Sequence, residues 1–230
     1  LTRTAIPALV QTQTYVPVTS SVPLPVDLVF YNGTGGFSPD GREYVINTAE
    51  GKRTPAPWVN VIANPVFGTV ISESGQCYTW KENAHEMRLT PWENDPVSDS
   101  CGEAYYLRDE ETGHFWSTTP LPRGGQSNYV TRHGFGYSVF EHEEDGIHSE
   151  MWVYVDTEAA IKFTNIKIKN NSGRQRRISA TGYAEWVLGE LRPKTAMYIV
   201  SESDPETGAL FAKNPYNTEF GGGVVFFDVN

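Results

Sequence analysis

The chain has 230 residues, of which 39% are hydrophobic and 20% charged, and its mean hydropathy is -0.42. This composition is typical of a globular domain, and no stretch reaches the roughly 18 consecutive apolar residues of a membrane-spanning helix. With 18 basic against 28 acidic residues the net charge is -10, so we expect no binding to nucleic acid and no membrane contact.

The first 27 residues are rich in proline, threonine, valine and serine. Pro17, Pro23 and Pro25 exclude a helix and favour an extended backbone. We therefore predict that residues 1–27 form an extended lead-in or linker and that one domain follows over residues 28–230. Because the chain begins at a leucine rather than at a methionine, we expect it to be a piece of a longer polypeptide.

The remaining residues form short β-type runs separated by turn signals, and no segment has an apolar stripe of helical period over three turns. The clearest hairpin is Tyr137–Val155, because Asp145-Gly146 supplies the positive φ angles that a type I′ turn requires. This pattern predicts an all-β fold, specifically a large antiparallel β-sandwich.

Two further strands are predicted on either side of the turn at residues 171–173. In the first, Ile161 and Phe163 alternate with polar residues, but the alternation slips near Asn165, and we interpret the slip as a β-bulge. The second strand is Ile178–Trp186. The chain's last residues, VVFFDVN, read as a strand without a closing turn, so we expect the sandwich to be incomplete at its C-terminal edge.

Few residues are spaced for catalysis or metal binding. Cys77 and Cys101 are too far apart for a CxxC site, and the five histidines form no zinc motif. The glycine-rich stretch at residues 33–36 lacks a following helix, which favours a plain turn over a phosphate site. Glu143 and Glu144 lie at the predicted hairpin tip, where we expect them to be solvated rather than paired across a glycosidase cleft. We predict no metal and no cofactor.

Aromatic residues make up 13% of the chain and point to a ligand. Trp80, Trp92 and Trp116 lie in or beside polar segments, and Asn94 follows in the loop after Trp92. Flat rings beside hydrogen-bonding side chains suit the apolar face and the hydroxyl rim of a sugar. In the alternative interpretation these tryptophans fill the core between two sheets, and the sequence leaves both possibilities open.

The segment at residues 129–134 has the same mixed character, with Tyr129, Arg132 and His133 within five positions. Arg132 either anchors the local structure by pairing with carboxylates or presents its fork of donors to sugar hydroxyls or phosphate. The chemistry of these residues alone does not favour the second possibility.

Several blocks of sequence carry a resemblance to a known family: YNGTGGF at 31–37, DGREYVI at 40–46, TPAPWVN at 54–60, YTW at 78–80, LTPWENDPVSD at 89–99, GEA at 102–104, YVTRHG at 129–134 and AEW at 184–186. In this order they resemble the inverting glycoside phosphorylases of glycoside hydrolase family 94, which include the cellobiose and chitobiose phosphorylases. The blocks at 89–99 and 102–104 resemble the branch of cyclic β-1,2-glucan synthases and 1,2-β-oligoglucan phosphorylases.

This resemblance implies that the chain is the N-terminal domain of a modular enzyme, a β-sandwich of the galactose-mutarotase-like supersandwich type. The catalytic (α/α)6 barrel, which carries the general acid Asp, would lie outside this chain. Homodimers are expected, and the sandwich loops would help to shape the acceptor side of the active site. Arg132 inherits an acceptor-sugar role from the family motif, with Tyr129 and His133 beside it. The disaccharide phosphorylases have a Cys where this sequence has Thr131, a departure that is consistent with a different linkage.

The implied reaction is phosphorolysis with inversion, in which inorganic phosphate is a co-substrate and α-glucose 1-phosphate leaves a shortened β-glucan. The resemblance implies a bacterial protein in the cytoplasm, or the corresponding part of an inner-membrane synthase. In such a setting we expect Cys77 and Cys101 to be free thiols. Two alternatives stay open. The chain is a stand-alone carbohydrate-binding module that uses Trp80, Trp92 and Arg132, or it is only a scaffold.

Overall fold

The structure, a computed structural model, describes residues 16, 18–25, 27–49 and 53–229. The predicted lead-in over residues 1–27 therefore lies partly outside the described residues. Among the described residues, no helix has the length and apolar character needed to cross a membrane.

The described residues form fifteen strands, one α-helix of four residues and one short 3-10 helix. The strands are β1 (Gly35–Phe37), β2 (Glu43–Thr48), β3 (Val59–Ala63), β4 (Phe67–Ser72), β5 (Cys77–Lys81), β6 (Glu103–Asp109), β7 (Phe115–Ser117), β8 (Tyr129–Gly134), β9 (Tyr137–Glu144), β10 (Ile147–Val155), β11 (Lys162–Asn170), β12 (Ile178–Ala184), β13 (Val200–Ser203), β14 (Leu210–Lys213) and β15 (Val225–Phe227). The α-helix α1 is Arg192–Thr195, and the 3-10 helix follows it over Ala196–Tyr198. The expected all-β fold is confirmed.

Every strand pair is antiparallel. The largest sheet has six strands in the order β1-β2-β8-β9-β10-β11, and three smaller sheets have the orders β3-β4-β5, β12-β6-β7 and β13-β14-β15. The main core lies between the large sheet and β3-β4-β5, since Ile62 and Ile71 of the small sheet pack against Phe140, Met151 and Val153 of the large one. Two sheets packed face to face over an apolar layer form the predicted sandwich.

The hairpin of β9 and β10 is formed as predicted. Asp145 and Gly146 connect the two strands with φ angles of 50° and 74°, the left-handed conformation that a type I′ turn requires. The glycine stretch at residues 33–36 forms a turn that leads into β1, and its Gly35 lies so close to β2 that an added Cβ would be 2.7 Å from the Val45 carbonyl oxygen. That position therefore needs glycine for close packing of the backbone.

The predicted bulge near Asn165 is wrong. β11 pairs with β10 in an unbroken register from Val155↔Lys162 to Ile147↔Asn170. Because side chains alternate along a strand, this register turns Lys162 into the sandwich and Phe163 out toward solvent. The sequence pattern slips because Lys162 lies on the inner face and Phe163 on the outward face. The strand contains no extra residue.

The strand after the turn at residues 171–173 pairs with β6 in a different sheet, although it follows β11 in sequence. Both β11 and β12 are therefore edge strands among the described residues, and a cavity of about 720 Å³ opens between them. The predicted C-terminal strand is present as β15, whose Phe227 lines this cavity and stacks on Tyr105 of β6 at 6.3 Å.

An extended segment at residues 18–25 covers part of the outward face of the six-stranded sheet. The Val22 amide donates to the Asn128 side chain at 2.9 Å, and the Asn128 amide group donates back to the Val22 carbonyl at 3.0 Å. The Val22 side chain packs on Val45 and Val130, which point outward from β2 and β8. The rest of this outward face, over β9, β10 and β11, is more open, and Tyr154 and Phe163 are exposed there.

The expectation that both glutamates at the β9–β10 tip are solvated is wrong for Glu144. Its carboxylate is fully buried, within 2.9 Å of the His114 ring and of the Gln126 backbone amide that donates to it. Alternation along β9 is the physical reason, because it turns Glu144 inward and leaves Glu143 on the outward face.

Candidate functional site

Strand β8 separates the residues that the 129–134 motif places together in sequence. Tyr129, Thr131 and His133 point into the sandwich, whereas Val130 and Arg132 point to the outward face, as alternation along a strand requires. The three predicted site residues of this motif, Tyr129, Arg132 and His133, therefore lie on opposite faces of one sheet.

Arg132 is the centre of a charged cluster on the outward face. Its Nη2 lies 2.9 Å from Glu141 Oε1 and 3.9 Å from Glu150 Oε2, and its Nη1 lies 3.5 Å from Glu43 Oε1. The Tyr137 hydroxyl donates to the same Glu43 oxygen at 2.7 Å. The Arg132 side chain is 22% exposed, and its buried Nε has no acceptor among the described residues. Three carboxylates thus fix the guanidinium, and part of the side chain stays exposed on the outward face.

The same cluster includes Trp152 on the neighbouring strand β10. The Arg132 guanidinium lies 5.7 Å and the Lys167 ammonium 5.3 Å from its ring, and its indole N–H donates to Glu150 at 2.6 Å. Burial alone would raise the pKa of Glu150, but hydrogen bonds from Lys167 and Trp152 lower it below its usual value, so this carboxylate is ionised at neutral pH.

Three carboxylates (Glu43, Glu141 and Glu150) against two cations (Arg132 and Lys167) leave this cluster with an excess of acceptors and a net negative charge. Such a surface suits a neutral ligand that carries hydroxyl donors and an apolar side, and it disfavours anions. Trp152 and Tyr137 were not among the residues predicted from the sequence. The alternation in HSEMWVYV is the signal that places Trp152 and Tyr154 on one face, but only the strand pairing brings them beside Arg132.

Tyr129 is buried on the inner face, where its ring stacks on His142 at 3.8 Å. Its hydroxyl donates to the Ser117 carbonyl at 2.9 Å and accepts from the Gly125 amide at 2.8 Å. Burial raises the pKa of this phenol above its usual value. These contacts hold the start of β8 against the loop that precedes it, and they keep Tyr129 away from any ligand on the Arg132 face.

His133 also points inward and bridges two elements. Its Nε2 donates to the Trp58 carbonyl at 3.0 Å, and its Nδ1 accepts from the Ser138 hydroxyl at 2.9 Å. A carbonyl can only accept, so the proton sits on Nε2 of a neutral ring. Burial lowers the pKa of His133 to about 4, which keeps the ring neutral at physiological pH.

We expect this histidine to make folding sensitive to mild acid. Because its folded pKa is about 4 and an unfolded histidine titrates near 6.5, the unfolded chain binds the proton first as the pH falls. The free energy of unfolding should therefore drop by about 3 kcal/mol between pH 6.5 and 4 through this residue. Urea unfolding at a series of pH values measures the drop.

His133→Gln should flatten the pH dependence in that window, whereas His85→Gln, in an exposed loop, should leave it as in the wild type. Equal pH profiles for His133→Gln and the wild type would contradict a buried neutral His133.

Trp80 and Trp92 belong to a separate cluster on the β3-β4-β5 sheet. Tyr78 lies between them, stacked on Trp92 at 4.9 Å with an interplanar angle of 4° and 5.4 Å from Trp80. The Arg88 guanidinium lies 5.6 Å from the Trp92 ring and donates to the Glu190 carbonyl at 3.1 Å. The structure thus brings Trp80 and Trp92 together but places them on a different sheet from Arg132.

The two other residues of the aromatic prediction have different positions. Asn94 is exposed in the loop after Trp92 and has a φ of 51°. Trp116 is fully buried and packs on Leu107 and Ile147, so it belongs to the core as in the alternative interpretation.

A second cavity of about 270 Å³ lies at one end of the sandwich and is lined by Thr54, Glu73, Asp99 and Tyr129 among others. The Glu73 carboxylate accepts from the Thr54 hydroxyl and from the Trp58 amide, and burial raises its pKa. Within the residues described, no group of histidine, cysteine and acidic side chains is arranged to hold a metal ion. Cys77 and Cys101 are both free thiols.

Comparison with known proteins adds sequence relatives to this geometry. Residues 42–230 match the family described as glycosyl hydrolase 94, supersandwich domain. The chain is 40% identical over 202 residues to the cyclic beta-(1,2)-glucan synthase NdvB of Rhizobium meliloti, which covers 87% of this chain and 7% of that protein. It is 31% identical over 198 residues to the N,N'-diacetylchitobiose phosphorylase of Vibrio furnissii, which covers 85% of this chain and 23% of that protein. The chain thus spans less than a quarter of the length of either relative.

Proposed function

From the premise that this chain belongs to the glycosyl hydrolase 94 family, as its supersandwich domain, we propose that it is the non-catalytic domain of a larger enzyme that acts on β-1,2-linked glucans. In this proposal the outward face around Arg132 forms part of the wall on the acceptor side of the active site. The reaction is inverting phosphorolysis or the related trimming of glucan chains, and its general acid lies outside this chain.

The choice of substrate class rests on the relatives and on the chemistry of the face. The relative with 40% identity is named for a cyclic β-(1,2)-glucan, and another is named for N,N'-diacetylchitobiose. Both are neutral polyols, which is the ligand class that an acceptor-rich face with aromatic rings suits.

The single observation that carries the assignment to this face is the state of Arg132. Its guanidinium is fixed by Glu43 and Glu141 on the outward face, and 22% of the side chain stays exposed there. Because carboxylates already hold the guanidinium in place, a ligand hydroxyl that accepts a hydrogen bond from its exposed edge orders little additional side chain. Tyr129 and His133 are not ligand contacts in this proposal, because both point to the inner face.

We expect Arg132→Ala to weaken binding of a β-1,2-linked glucose oligosaccharide by about tenfold or more, since a hydrogen bond to a charged group contributes roughly 1.5–3 kcal/mol. Arg132→Lys should weaken it as well, because an ammonium group lacks the planar fork that spans the two carboxylates. Binding to the 230-residue chain is measured by titration with NMR detection, which registers weak complexes.

Arg174→Ala is the matched control, since Arg174 forms an exposed ion pair with Glu111 at 2.8 Å on another part of the surface. Equal affinities of the Arg132 and Arg174 variants would contradict the proposed acceptor wall. The amide spectrum of each variant verifies that the fold is retained.

A carbohydrate-binding module built on Trp80 and Trp92 is the second candidate, favoured by the parallel stacking of Trp92 on Tyr78. It predicts that Trp92→Ala abolishes glucan binding while Arg132→Ala does not. A pure scaffold predicts no binding in the folded chain. The catalytic barrel, the homodimer and a cytoplasmic location stay predictions.

A further inference from the structure

We infer that a track of aromatic side chains runs from Arg132 across the outward face of β9, β10 and β11 and binds a β-glucan chain longer than a disaccharide. The track consists of Tyr137, Trp152, Tyr154 and Phe163. The inference rests on the proposed function, because it extends the acceptor wall at Arg132 into additional sugar positions.

The strand register places these side chains in two adjacent rows on one face. Arg132 pairs across the sheet with Val139, and Val139 pairs with Trp152. In the next row Tyr137 pairs with Tyr154, and Tyr154 pairs with Phe163. Since neighbouring strands are about 4.8 Å apart, the track extends roughly 14 Å from β8 to β11.

The rings form two flat ledges. Tyr137 and Trp152 stack at 5.3 Å with an interplanar angle of 29°, and Tyr154 and Phe163 stack at 5.3 Å with an angle of 24°. Tyr154 is 37% and Phe163 40% exposed, so the outer ledge is accessible. Nearly parallel rings on a flat sheet offer the broad apolar surface on which the face of a sugar ring packs.

The buried pair of Lys162 and Glu103 places residue 163 on the outward face, but it does not require an aromatic ring there. In β11 a lysine is turned into the sandwich while the phenylalanine beside it faces solvent, the reverse of what burial of apolar surface favours. Positions at which a sequence departs from the pattern that folding favours are expected at functional sites. The exposed ring is therefore accounted for by a ligand that packs on it.

The polar groups beside the track select the class of ligand. Glu141 and Glu150 offer carboxylate oxygens to hydroxyl donors, and Lys167, 2.8 Å from Glu150, is the cation at the far end of the cluster. Acidic groups outnumber basic ones, so phosphorylated or carboxylated chains are disfavoured. A neutral glucan with hydroxyls along its rim and apolar ring faces fits both parts of the surface.

The test compares two ligands, the β-1,2-linked glucose disaccharide and a longer β-1,2-linked oligosaccharide, titrated into the 230-residue chain with NMR detection. The wild type should bind the longer chain more tightly. Tyr154→Ser and Phe163→Ser should each weaken binding of the longer chain by about tenfold, or roughly 1.4 kcal/mol, and leave the disaccharide affinity unchanged. Tyr183→Ser, which removes an equally exposed ring from β12, is the control and should change neither.

The outcomes separate this inference from the function on which it rests. Binding that depends on Arg132 but has the same affinity for both ligands would overturn the track alone. Loss of affinity for the longer chain in Tyr183→Ser equal to that in Tyr154→Ser would also overturn it. A folded wild type that binds neither ligand would overturn both the track and the proposed acceptor wall.

Discussion

Replacing Lys162 with methionine is expected to lower the free energy of unfolding by about 3–5 kcal/mol, because the change leaves the buried Glu103 carboxylate without its counter-ion. The Lys162 ammonium lies beside that carboxylate and also donates to the Thr79 hydroxyl at 2.7 Å. Glu103 in turn accepts from the hydroxyls of Thr79 and Thr90, both at 2.7 Å. Each polar atom in this interior network has a partner, so removal of one charge disturbs all of them.

The charge states support the same expectation. Burial alone would raise the pKa of Glu103 and lower that of Lys162, but each group reverses the effect of burial on the other. The Glu103 pKa is lowered and the Lys162 pKa raised, so both groups are ionised in the folded protein. Without Lys162, no cation offsets the effect of burial on Glu103, and its carboxyl group would take up a proton at a higher pH.

Two further variants distinguish the loss of a counter-ion from a loss of packing. Lys167→Met removes the lysine of an exposed ion pair on the same strand, and it should cost at most about 1 kcal/mol. The double variant Lys162→Met with Glu103→Gln removes both charges and keeps an acceptor for the threonines, so it should recover most of the loss. Urea unfolding measures all four proteins. A single Lys162→Met variant as stable as Lys167→Met would contradict the buried pair.

This ion pair also shows where prediction from the sequence reaches its limit. The hairpin at Asp145-Gly146 was predictable because its turn chemistry is local. The inward direction of Lys162 was not, since it depends on Glu103, which is 59 positions away in sequence. A prediction from periodicity places charged residues on the solvent face. The buried pair of Lys162 and Glu103 is an exception that only tertiary contacts reveal.

The candidate site was predictable to a similar extent. The family motif pointed to Arg132, but it grouped the residue with Tyr129 and His133, which alternation along β8 turns to the other face. Trp152 and Phe163 lie on strands whose pairing with β8 and β9 determines their place beside Arg132. Strand order in a sheet is non-local information, so a single sequence without relatives identifies the residues of such a surface only in part.

Replacing Glu144 with glutamine is expected to lower the free energy of unfolding by about 3 kcal/mol, because the fully buried carboxylate is the common partner of several groups. It accepts from the Gln126 amide at 2.9 Å, lies 2.9 Å from the His114 ring, and lies 3.3 Å from His142 Nε2. His142 is held in this position by its Nδ1, which donates to the Asn128 carbonyl at 3.0 Å. Glutamine keeps the shape of the Glu144 side chain but removes the negative charge that these groups surround.

The pH dependence and a neighbouring residue make this expectation testable. Burial tends to raise the pKa of Glu144, but the contacts with His142, His114 and the Gln126 amide lower it below its usual value of 4.5. The carboxylate therefore stabilises the folded protein above pH 4.5, and that stability is lost as the pH falls through the lowered pKa.

Glu144→Gln should be less stable than the wild type at pH 7, and it should lose less stability than the wild type below pH 4.5. Glu143→Gln, one position away on the outward face, should change the free energy of unfolding by less than about 0.5 kcal/mol. If Glu144→Gln and Glu143→Gln lowered the free energy of unfolding by similar amounts at pH 7, burial of Glu144 would not govern the stability of this hairpin.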